Sequence, residues 1–326
     1  MSEPLKKNLY LEKAVQALYS DSIPPMRDEN EVLITGDRLR RSRLYVPGNQ
    51  PKKILKAGTY SPDCIILDLE DSVPQKEKDN ARIIVRNALR MVDFNGAEKM
   101  VRINSNDTGM IDLEFIIAQN VHVIVIPKVE SSDQIIRFVK KINELLKVCG
   151  RREPVFIIPI IESAHGVFNA LEIAKSSPNI IGLTIGLEDY TADLGINKTI
   201  TGEESFFARS MVLHAAKATG IQALDSVHGD FRDEKSLRRS VRESKALGFV
   251  GVGCIHPNQI IPIHEEFSPL EIEISQAKEI IKGFDLAITN GTGVFELGGK
   301  MIDAPIVKRA KQIIKLAIAC GSLSKD

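Results

Sequence analysis

Eight short apolar runs recur along this chain, and each is too short to be an ordinary helix. They are rich in β-branched residues and lie at 43–46, 64–69, 99–103, 121–126, 155–161, 180–186, 222–225 and 251–255. Stretches with the apolar spacing of helices separate them. Strands that are apolar on both faces are typical of a parallel sheet covered by helices. Eight such βα units predict an α/β fold, a closed (β/α)₈ TIM barrel rather than an open sheet.

The chain of 326 residues is longer than such a barrel, which commonly needs about 250 residues. We therefore predict three parts: an N-terminal extension at 1–40, a barrel catalytic domain at 41–268 and a C-terminal helical segment at 269–326. A weak amphipathic helix is predicted from Leu5 to Leu18 in the extension. Two helices, at 269–290 and 306–320, flank a glycine-rich turn in the last part. Because a closed barrel needs neither helix, we expect this segment to be a lid or a subunit contact.

The charge balance argues against several classes of partner. Lysine plus arginine number 43 and aspartate plus glutamate also number 43, so no net field attracts nucleic acid or an acidic membrane surface. No apolar run approaches the roughly 20 residues of a membrane-spanning helix. The four cysteines show no CxxC spacing. This pattern indicates reduced thiols and a cytoplasmic protein.

Polar residues stand at or near the end of each predicted strand. In chain order they are Tyr45, Asp68 to Asp71, Arg102, Lys128, Glu162, Asp189, Asp225 and His256. In a closed barrel of parallel strands these ends share one face, which is where barrel enzymes have their active sites. We therefore expect these side chains to converge on one site.

Acids at two neighbouring strand ends are candidates for a metal site. Glu162 ends the fifth run, and Glu188 and Asp189 follow the sixth, with a helical pattern at 163–176 between them. Both strands run the same way, so the acids emerge at the same end of the sheet. Carboxylates without a neighbouring cysteine or histidine favour a hard cation such as Mg²⁺. The alternative is that these acids cap or pair with neighbouring helices.

Arg102 lies between Val101 and Ile103 in an apolar strand, where an unpaired guanidinium is costly to bury. Either a neighbouring carboxylate such as Glu70 or an oxyanion of the substrate must compensate its charge, and we favour the substrate. For Asp68 a structural ion pair inside the barrel is the better interpretation. Glu70 remains open between metal ligand, base and ion-pair partner.

Two turns are candidates for ligand contacts. After the first strand, Lys52 and Lys56 follow Pro51 at a predicted helix start, which suits the phosphate groups of a ligand or, alternatively, a solvated helix face. After the eighth strand, His256 follows Cys254, but two possible ligands do not make a zinc site. A tight turn whose backbone meets the substrate is the better interpretation there. No dinucleotide-binding or P-loop motif follows a strand.

Seven motifs occur in order along the chain, and together they resemble one family. They are YVPGN at 45–49, DLEDSVPQKEKDNAR at 68–82, VRIN at 101–104, PIIES at 159–163, GLEDYTADLG at 186–195, IHPNQI at 255–260 and GGKMIDAP at 298–305. The set resembles the citrate lyase β-subunit-like proteins of the HpcH/HpaI aldolase superfamily, a group that includes malyl-CoA and citramalyl-CoA lyases. The resemblance extends from residue 41 to about residue 317.

The resemblance implies a Mg²⁺-dependent carbon–carbon lyase of the oxo-acid type. Such an enzyme cleaves or forms a 3-hydroxyacyl-CoA, such as malyl-CoA or citramalyl-CoA, giving acetyl-CoA and a 2-keto acid. The implied assembly is a homotrimer or hexamer with shared active sites. The implied roles are metal ligation by Glu162 and Asp189, thioester contact by Arg102, coenzyme A contacts by Tyr45, Lys52 and Lys56, acyl contacts by Ile255 and His256, and an acid from a neighbouring subunit, Asp303.

Several alternatives remain open at this point. Asp303 and Glu70 are both candidates for the acid-base group. A thioesterase or a malate-synthase-like enzyme would act on the same thioesters. A citrate lyase β-subunit would act on a thioester of acyl carrier protein rather than of coenzyme A. The sequence does not identify the keto acid or the physiological direction.

Overall fold

The computed structural model describes residues 3–27, 36–199 and 201–324, with side chains described from residue 11 onward. Leu5 and Leu9 of the predicted N-terminal helix therefore lie outside the described side chains, although their backbone is helical. Part of the predicted loop at 22–37 also lies outside the described residues. The chain forms two compact units, 1–263 and 264–326.

The first unit contains a closed barrel of eight parallel strands, as the sequence predicts. The strands are β1 Ser42–Pro47, β2 Cys64–Asp68, β3 Glu98–Arg102, β4 Val123–Ile126, β5 Phe156–Ile161, β6 Gly182–Ile185, β7 Gln222–Val227 and β8 Val252–Cys254. They pair in sequence order, and β1 closes the barrel by pairing with β8 through Ser42 and Val252. The predicted (β/α)₈ architecture is confirmed.

Helices follow the strands around the barrel. Those of the first unit, with the last one reaching just beyond it, are α1 Glu3–Leu18, α2 Pro51–Ala57, α3 Lys78–Met91, α4 Asp107–Ile116, α5 Ser132–Cys149, α6 Ala164–Lys175, α7 Leu187–Asp193, α8 Glu203–Ala218, α9 Glu234–Leu247 and α10 Ile260–Phe267. Local sequence defines both ends of α5, because Ser131 and Gln134 form a capping box and Gly150 ends the helix in the left-handed region.

The sequence pattern does not predict two of these helices, α4 and α7. Gly109 in the first turn of α4 weakens its local helix propensity, and a Cβ at this position would overlap the main-chain oxygen of Asn104. The close approach of the two backbones therefore requires this glycine. Helix α7 has only seven residues, too few to show a helical period.

An apolar cluster fills the barrel interior. Its members come from successive strands and are at most 6% exposed: Cys64, Ile66, Met100, Val123, Val125, Ile158, Ile160, Ile181 and Leu224. Helices cover the outer face of the sheet, for example α8 against β6 and β7. Because the apolar side chains occupy the interior, the polar residues of the strand ends are left to form the rim.

The second unit has two packed helices, α11 Glu271–Thr289 and α12 Ala304–Ala319, as predicted. Between them lies a short antiparallel hairpin, β9 Phe295–Leu297 and β10 Lys300–Ile302, where the sequence predicts only a turn segment. Gly298 and Gly299 form the turn with positive φ angles of 59° and 76°. Across the described ranges, no helix is long and apolar enough to cross a membrane.

Candidate active site

A cavity of about 700 Å³ lies at the C-terminal ends of the barrel strands. Residues at or just after the end of every strand except β4 contribute to its lining. Eight of the predicted site residues line it together: Tyr45, Lys52, Lys56, Arg102, Glu162, Asp189, Ile255 and His256. The convergence expected from the strand-end positions is therefore observed for these residues, whereas Glu70 and Lys128 are not among the lining residues.

Glu162 and Asp189 lie side by side at one wall of this cavity. Glu162 directly follows β5, and Asp189 lies in the first turn of α7. The N–H of Lys128 donates to Oε1 of Glu162 at 2.6 Å, which fixes one side of the carboxylate. On the other side is Gly186, where a Cβ would overlap the Glu162 carboxylate. The glycine in this motif therefore provides the space that Glu162 occupies.

The electrostatics of this acid pair favour a bound cation. Burial, followed by the neighbouring charge of Asp189, raises the pKa of Glu162 to about 8. Among the described residues, no cluster of three or more histidine, cysteine or acidic side chains is arranged to hold a metal, so the chain itself offers at most two such ligands here. A donor set of two carboxylates, with other positions left for water and substrate oxygens, fits the coordination of Mg²⁺. Glu188 is exposed and pairs with Lys198 at 2.8 Å, which suits its interpretation as a structural neighbour.

Arg102 and its carboxylate partners form a second charged group at the ends of β2 and β3. Asp68 is the register partner of Arg102, and its two oxygens accept from Nε and Nη2 of Arg102 at 2.7 Å each. Nη1 of Arg102 lies 3.0 Å from Oε2 of Glu70. The guanidinium also lies 5.3 Å above the Tyr45 ring centroid. These groups hold the guanidinium rigidly at the cavity wall.

These contacts confirm the ion-pair interpretation of Asp68. They also correct the interpretation of Arg102, because Asp68 and Glu70 already compensate its buried charge, and a substrate oxyanion is not needed for that purpose. Burial opposes ionisation of Asp68, but the hydrogen bonds from Arg102 lower its pKa below the usual value. Burial raises the pKa of Glu70, and the nearby charge of Asp71 adds to this effect. A role of Arg102 toward substrate stays a prediction.

The mouth of the cavity is basic on one side and aromatic on another. Lys52 and Lys56 of α2 are exposed there. On the β8 side, the His256 ring stacks on Phe231 with centroids 4.7 Å apart, and its Nδ1 accepts from the N–H of Asn258. The predicted tight turn is therefore present. Cys254 is fully buried and does not line the cavity, which argues against a soft-metal site shared with His256.

Comparison with known proteins agrees with this geometry. The model of the HpcH/HpaI aldolase/citrate lyase family matches residues 41–257, which is the barrel with all the site residues of the first unit. The chain belongs to this family.

Relatives in the family cover nearly all of the chain. The citrate lyase subunit beta of Leuconostoc mesenteroides subsp. cremoris is 39% identical over 88% of this chain and 96% of the relative. The mitochondrial citramalyl-CoA lyase of Mus musculus is also 39% identical, over 85% and 86%. A crystal structure of CitE from Mycobacterium tuberculosis with magnesium, acetoacetate and coenzyme A has 31% identity and a TM-score of 0.71, covering 86% of this chain and 98% of that one.

Some cavity residues of this family member have no signal in the sequence. Arg43 is a buried residue of the cavity lining, where Nη1 donates to Thr184 Oγ1 at 2.9 Å and Nη2 to the main-chain oxygen of Asp225 at 2.6 Å. In sequence it is only a charged residue in an apolar run. The carboxylate of Asp225 pairs with Arg209 at 2.5 Å, so this predicted strand-end acid has a structural partner. Tyr60 also lines the cavity and was missed.

Asp303, the predicted acid of the C-terminal segment, lies in the second unit. It directly follows β10 and is the N-cap residue of α12, where Oδ1 accepts from the N–H of Ile306 at 3.3 Å. Its delivery to the active site of a neighbouring subunit stays a prediction for this family member.

Proposed function

We propose that the chain is a Mg²⁺-dependent carbon–carbon lyase that cleaves or forms a 3-hydroxyacyl-CoA. The products of cleavage are acetyl-CoA and a 2-keto acid. The observation that carries the proposal is the acid pair Glu162 and Asp189 in the same cavity as Arg102, whose guanidinium is held by two hydrogen bonds to Asp68. Membership of the family, the similarity to citramalyl-CoA lyase and the similarity to CitE crystallised with magnesium and coenzyme A support it.

Glu162 and Asp189 would hold Mg²⁺, because carboxylate oxygens are hard donors and the repulsion between the two carboxylates favours a cation. When bound, Mg²⁺ supplies a Lewis acid and a template for the carboxylate and α-oxygen of the keto-acid fragment. Gly186 keeps the Glu162 carboxylate free of steric conflict. The backbone N–H of Lys128 fixes its orientation.

Arg102 provides the positive charge that cleavage requires. As the carbon–carbon bond breaks, its electron pair moves toward the thioester carbonyl, and negative charge develops on that oxygen. A guanidinium already oriented by Asp68 stabilises this charge without having to reorganise. The hydroxyl proton of the substrate leaves to a base, and a proton is later delivered to the carbon of the enolate.

Glu70 and Asp303 are the candidates for these proton transfers. Glu70 is 5% exposed, and its raised pKa brings it closer to the range in which a carboxyl exchanges protons efficiently at neutral pH. Asp303 would act from a neighbouring subunit of a homotrimer or hexamer. Lys52, Lys56, Tyr45, Ile255 and His256 would bind the coenzyme A thioester. We place this reaction in the cytoplasm.

A direct assay tests the proposed reaction. Malyl-CoA, citramalyl-CoA and citryl-CoA are added separately with Mg²⁺, and glyoxylate, pyruvate or oxaloacetate is measured. We expect Mg²⁺-dependent release of one of these keto acids together with acetyl-CoA. Release of free thiol with the hydroxy acid intact would indicate a thioesterase instead. No cleavage of any of the three, with or without a carrier protein, would rule out the lyase.

A citrate lyase β-subunit is the second candidate. The similarity to the Leuconostoc subunit favours it, because identity equals that to citramalyl-CoA lyase and the aligned part covers more of the relative. Such a subunit would cleave the citryl thioester of an acyl carrier protein and leave the coenzyme A thioesters largely unchanged. Parallel assays with the two carriers separate these possibilities.

Mixing of variants tests the shared site. We expect Asp303→Ala to lose activity while it retains Mg²⁺ binding and normal assembly. If Asp303 acts in the neighbouring subunit, oligomers that combine Asp303→Ala with Arg102→Ala chains regain part of the activity. Persistent inactivity in verified mixed oligomers would count against sharing.

A further inference from the structure

Lys128, at the C-terminal end of the β4 segment, has an unusual backbone conformation. Its φ angle is 55°, and among the described residues only Ser61 and Asn95 are other non-glycine residues with positive φ. Serine and asparagine have short polar side chains that commonly occupy turns, whereas lysine gains nothing locally from the left-handed region. A strained residue of this kind persists only where its surroundings require it.

The left-handed conformation directs the main-chain N–H of Lys128 toward Glu162, one of the two proposed metal ligands. Its N–H donates to Oε1 of Glu162 at 2.6 Å, and the N–H of the next residue, Val129, donates to the main-chain oxygen of Ile160 at 3.2 Å. The segment after β4 is thereby attached to the end of β5. One oxygen of Glu162 is fixed, and the other oxygen lies beside Gly186.

The side chain of Lys128 extends toward the other charged group. Its Nζ donates to Oε1 of Glu70 at 2.5 Å and to Oδ1 of Asp71 at 3.3 Å. Glu70 is almost fully buried, whereas the lysine side chain is 44% exposed. The second oxygen of Glu70 lies 3.0 Å from Nη1 of Arg102 but makes no aligned hydrogen bond. The ammonium of Lys128 is therefore the group that makes a well-formed hydrogen bond to the Glu70 carboxylate.

We propose that Lys128 is a positioning residue that sets Glu162 and Glu70 relative to each other. Its main chain holds the metal-binding acid, and its side chain holds the acid-base candidate beside Arg102. This inference rests on the proposed lyase function and assigns to the site a residue outside the cavity lining. The two halves are separable, because a change of the side chain leaves the N–H in place.

Substitution of the side chain tests this separation. Lys128→Met removes the ammonium and keeps the N–H, so we expect kcat for thioester cleavage to fall about 10- to 100-fold, the loss typical when a group that orients a functional side chain is removed. The Mg²⁺ dissociation constant from calorimetry should stay within about twofold, because first-coordination contacts are unchanged. Lys128→Arg should restore most of kcat. Lys128→Gly relieves the backbone strain, and it should show the same loss of kcat in a stable protein.

A matched control and a double-mutant cycle identify the route of the effect. The control is Lys141, whose Nζ lies 2.5 Å from Oε1 of Glu114, the same distance as in the Lys128–Glu70 pair. Because this pair is outside the cavity lining, Lys141→Met should leave kcat unchanged. In a Glu70→Gln background, Lys128→Met should change the residual rate by less than about twofold, because the partner is already lost. An equal loss in both backgrounds would contradict positioning through Glu70, and so would a parallel loss of Mg²⁺ affinity.

The inference and the proposed function fail in different ways. If the unmodified chain cleaves none of the thioesters, the lyase proposal fails, and the role of Lys128 in it fails too. If the unmodified chain is active and Lys128→Met behaves like Lys141→Met, only the inference is overturned.

Discussion

The two charged groups of the cavity differ in whether each charge has a partner of opposite sign within the chain. At the ends of β2 and β3, Asp68 accepts two hydrogen bonds from Arg102 at 2.7 Å, and Glu70 adds an ion-pair contact at 3.0 Å. At the ends of β5 and β6, Glu162 and Asp189 repel each other, and burial adds to the cost of ionising Glu162. The charges of the first group are balanced within the chain, whereas we propose that a bound cation balances those of the second. We infer that ligand binding is organised around the second group and transition-state stabilisation around the first.

Removal of the guanidinium should have the largest effect. We expect Arg102→Met to lower kcat by about 10²- to 10³-fold, because the developing negative charge loses its partner. It should also destabilise the fold by roughly 3–5 kcal/mol, because Asp68 and Glu70 remain buried without their cation. Steady-state kinetics and urea unfolding measure the two effects.

Arg40 provides the matched control for this loss. Its Nε and Nη2 donate to Glu98 at 2.7 and 2.8 Å, and both side chains are fully buried outside the cavity lining. Arg40→Met should cost comparable stability yet leave kcat of the folded protein near its original value. An equal fall in kcat for both variants would show that Arg102 contributes only to folding.

A methyl group beside Glu162 should affect the acid pair alone. In Gly186→Ala the added Cβ overlaps the Glu162 carboxylate. We expect Mg²⁺ affinity to fall by about 10- to 100-fold, the range for displaced ligand support. Gly229→Ala is the control, because nothing lies within 4 Å of a Cβ there and φ is not positive. Unchanged calorimetric affinity in Gly186→Ala would mean that Glu162 is not a ligand in this position.

Mg²⁺ affinity and stability should both depend on pH through the Glu162 carboxyl. The folded-state pKa of Glu162, about 8, is above its unfolded value of about 4.3. Without metal, its contribution to stability is therefore fully present below about pH 4 and is lost as pH rises toward 8. Mg²⁺ must displace this proton, so affinity should rise by about tenfold per pH unit up to that pKa.

Calorimetry in buffers of different ionisation enthalpy measures the proton release directly. Near neutral pH we expect about one proton to leave for each Mg²⁺ bound. Glu162→Gln should abolish both the release and the binding. An affinity that does not vary with pH in the unmodified protein would argue against a protonated acid at this site.

The fold and much of the site follow from local sequence patterns. Apolar runs identify the strands, and the position of Glu162 or Arg102 at the end of a run already specifies the face of the barrel to which it belongs. The sequence does not reveal helix α7, because seven residues are too few to show a helical repeat of apolar residues. Asp189 lies in the first turn of this helix. The contact between Arg43 and Asp225 could not be predicted, since it depends on the closure of the barrel.

Lys128 illustrates the same limit in the site. Its place after the fourth run indicates that it faces the cavity end of the barrel, but the sequence contains no sign of a left-handed backbone at a lysine. The pairing of Arg102 with Asp68 likewise depends on register, because the two residues are direct partners in neighbouring strands. Three-dimensional proximity decides which charges are satisfied, and the sequence alone does not contain it.

The central claim is that the pair Glu162 and Asp189 is completed by Mg²⁺ and that the adjacent acid is not involved. Calorimetric Mg²⁺ titration of Asp189→Ala beside Glu188→Gln tests this most directly, because the two acids are neighbours in α7 and Glu188 already pairs with Lys198. We predict that Asp189→Ala loses detectable Mg²⁺ binding with an unchanged melting temperature, while Glu188→Gln binds as the unmodified chain does. Equal affinity in Asp189→Ala, or loss of binding in Glu188→Gln, would contradict the account.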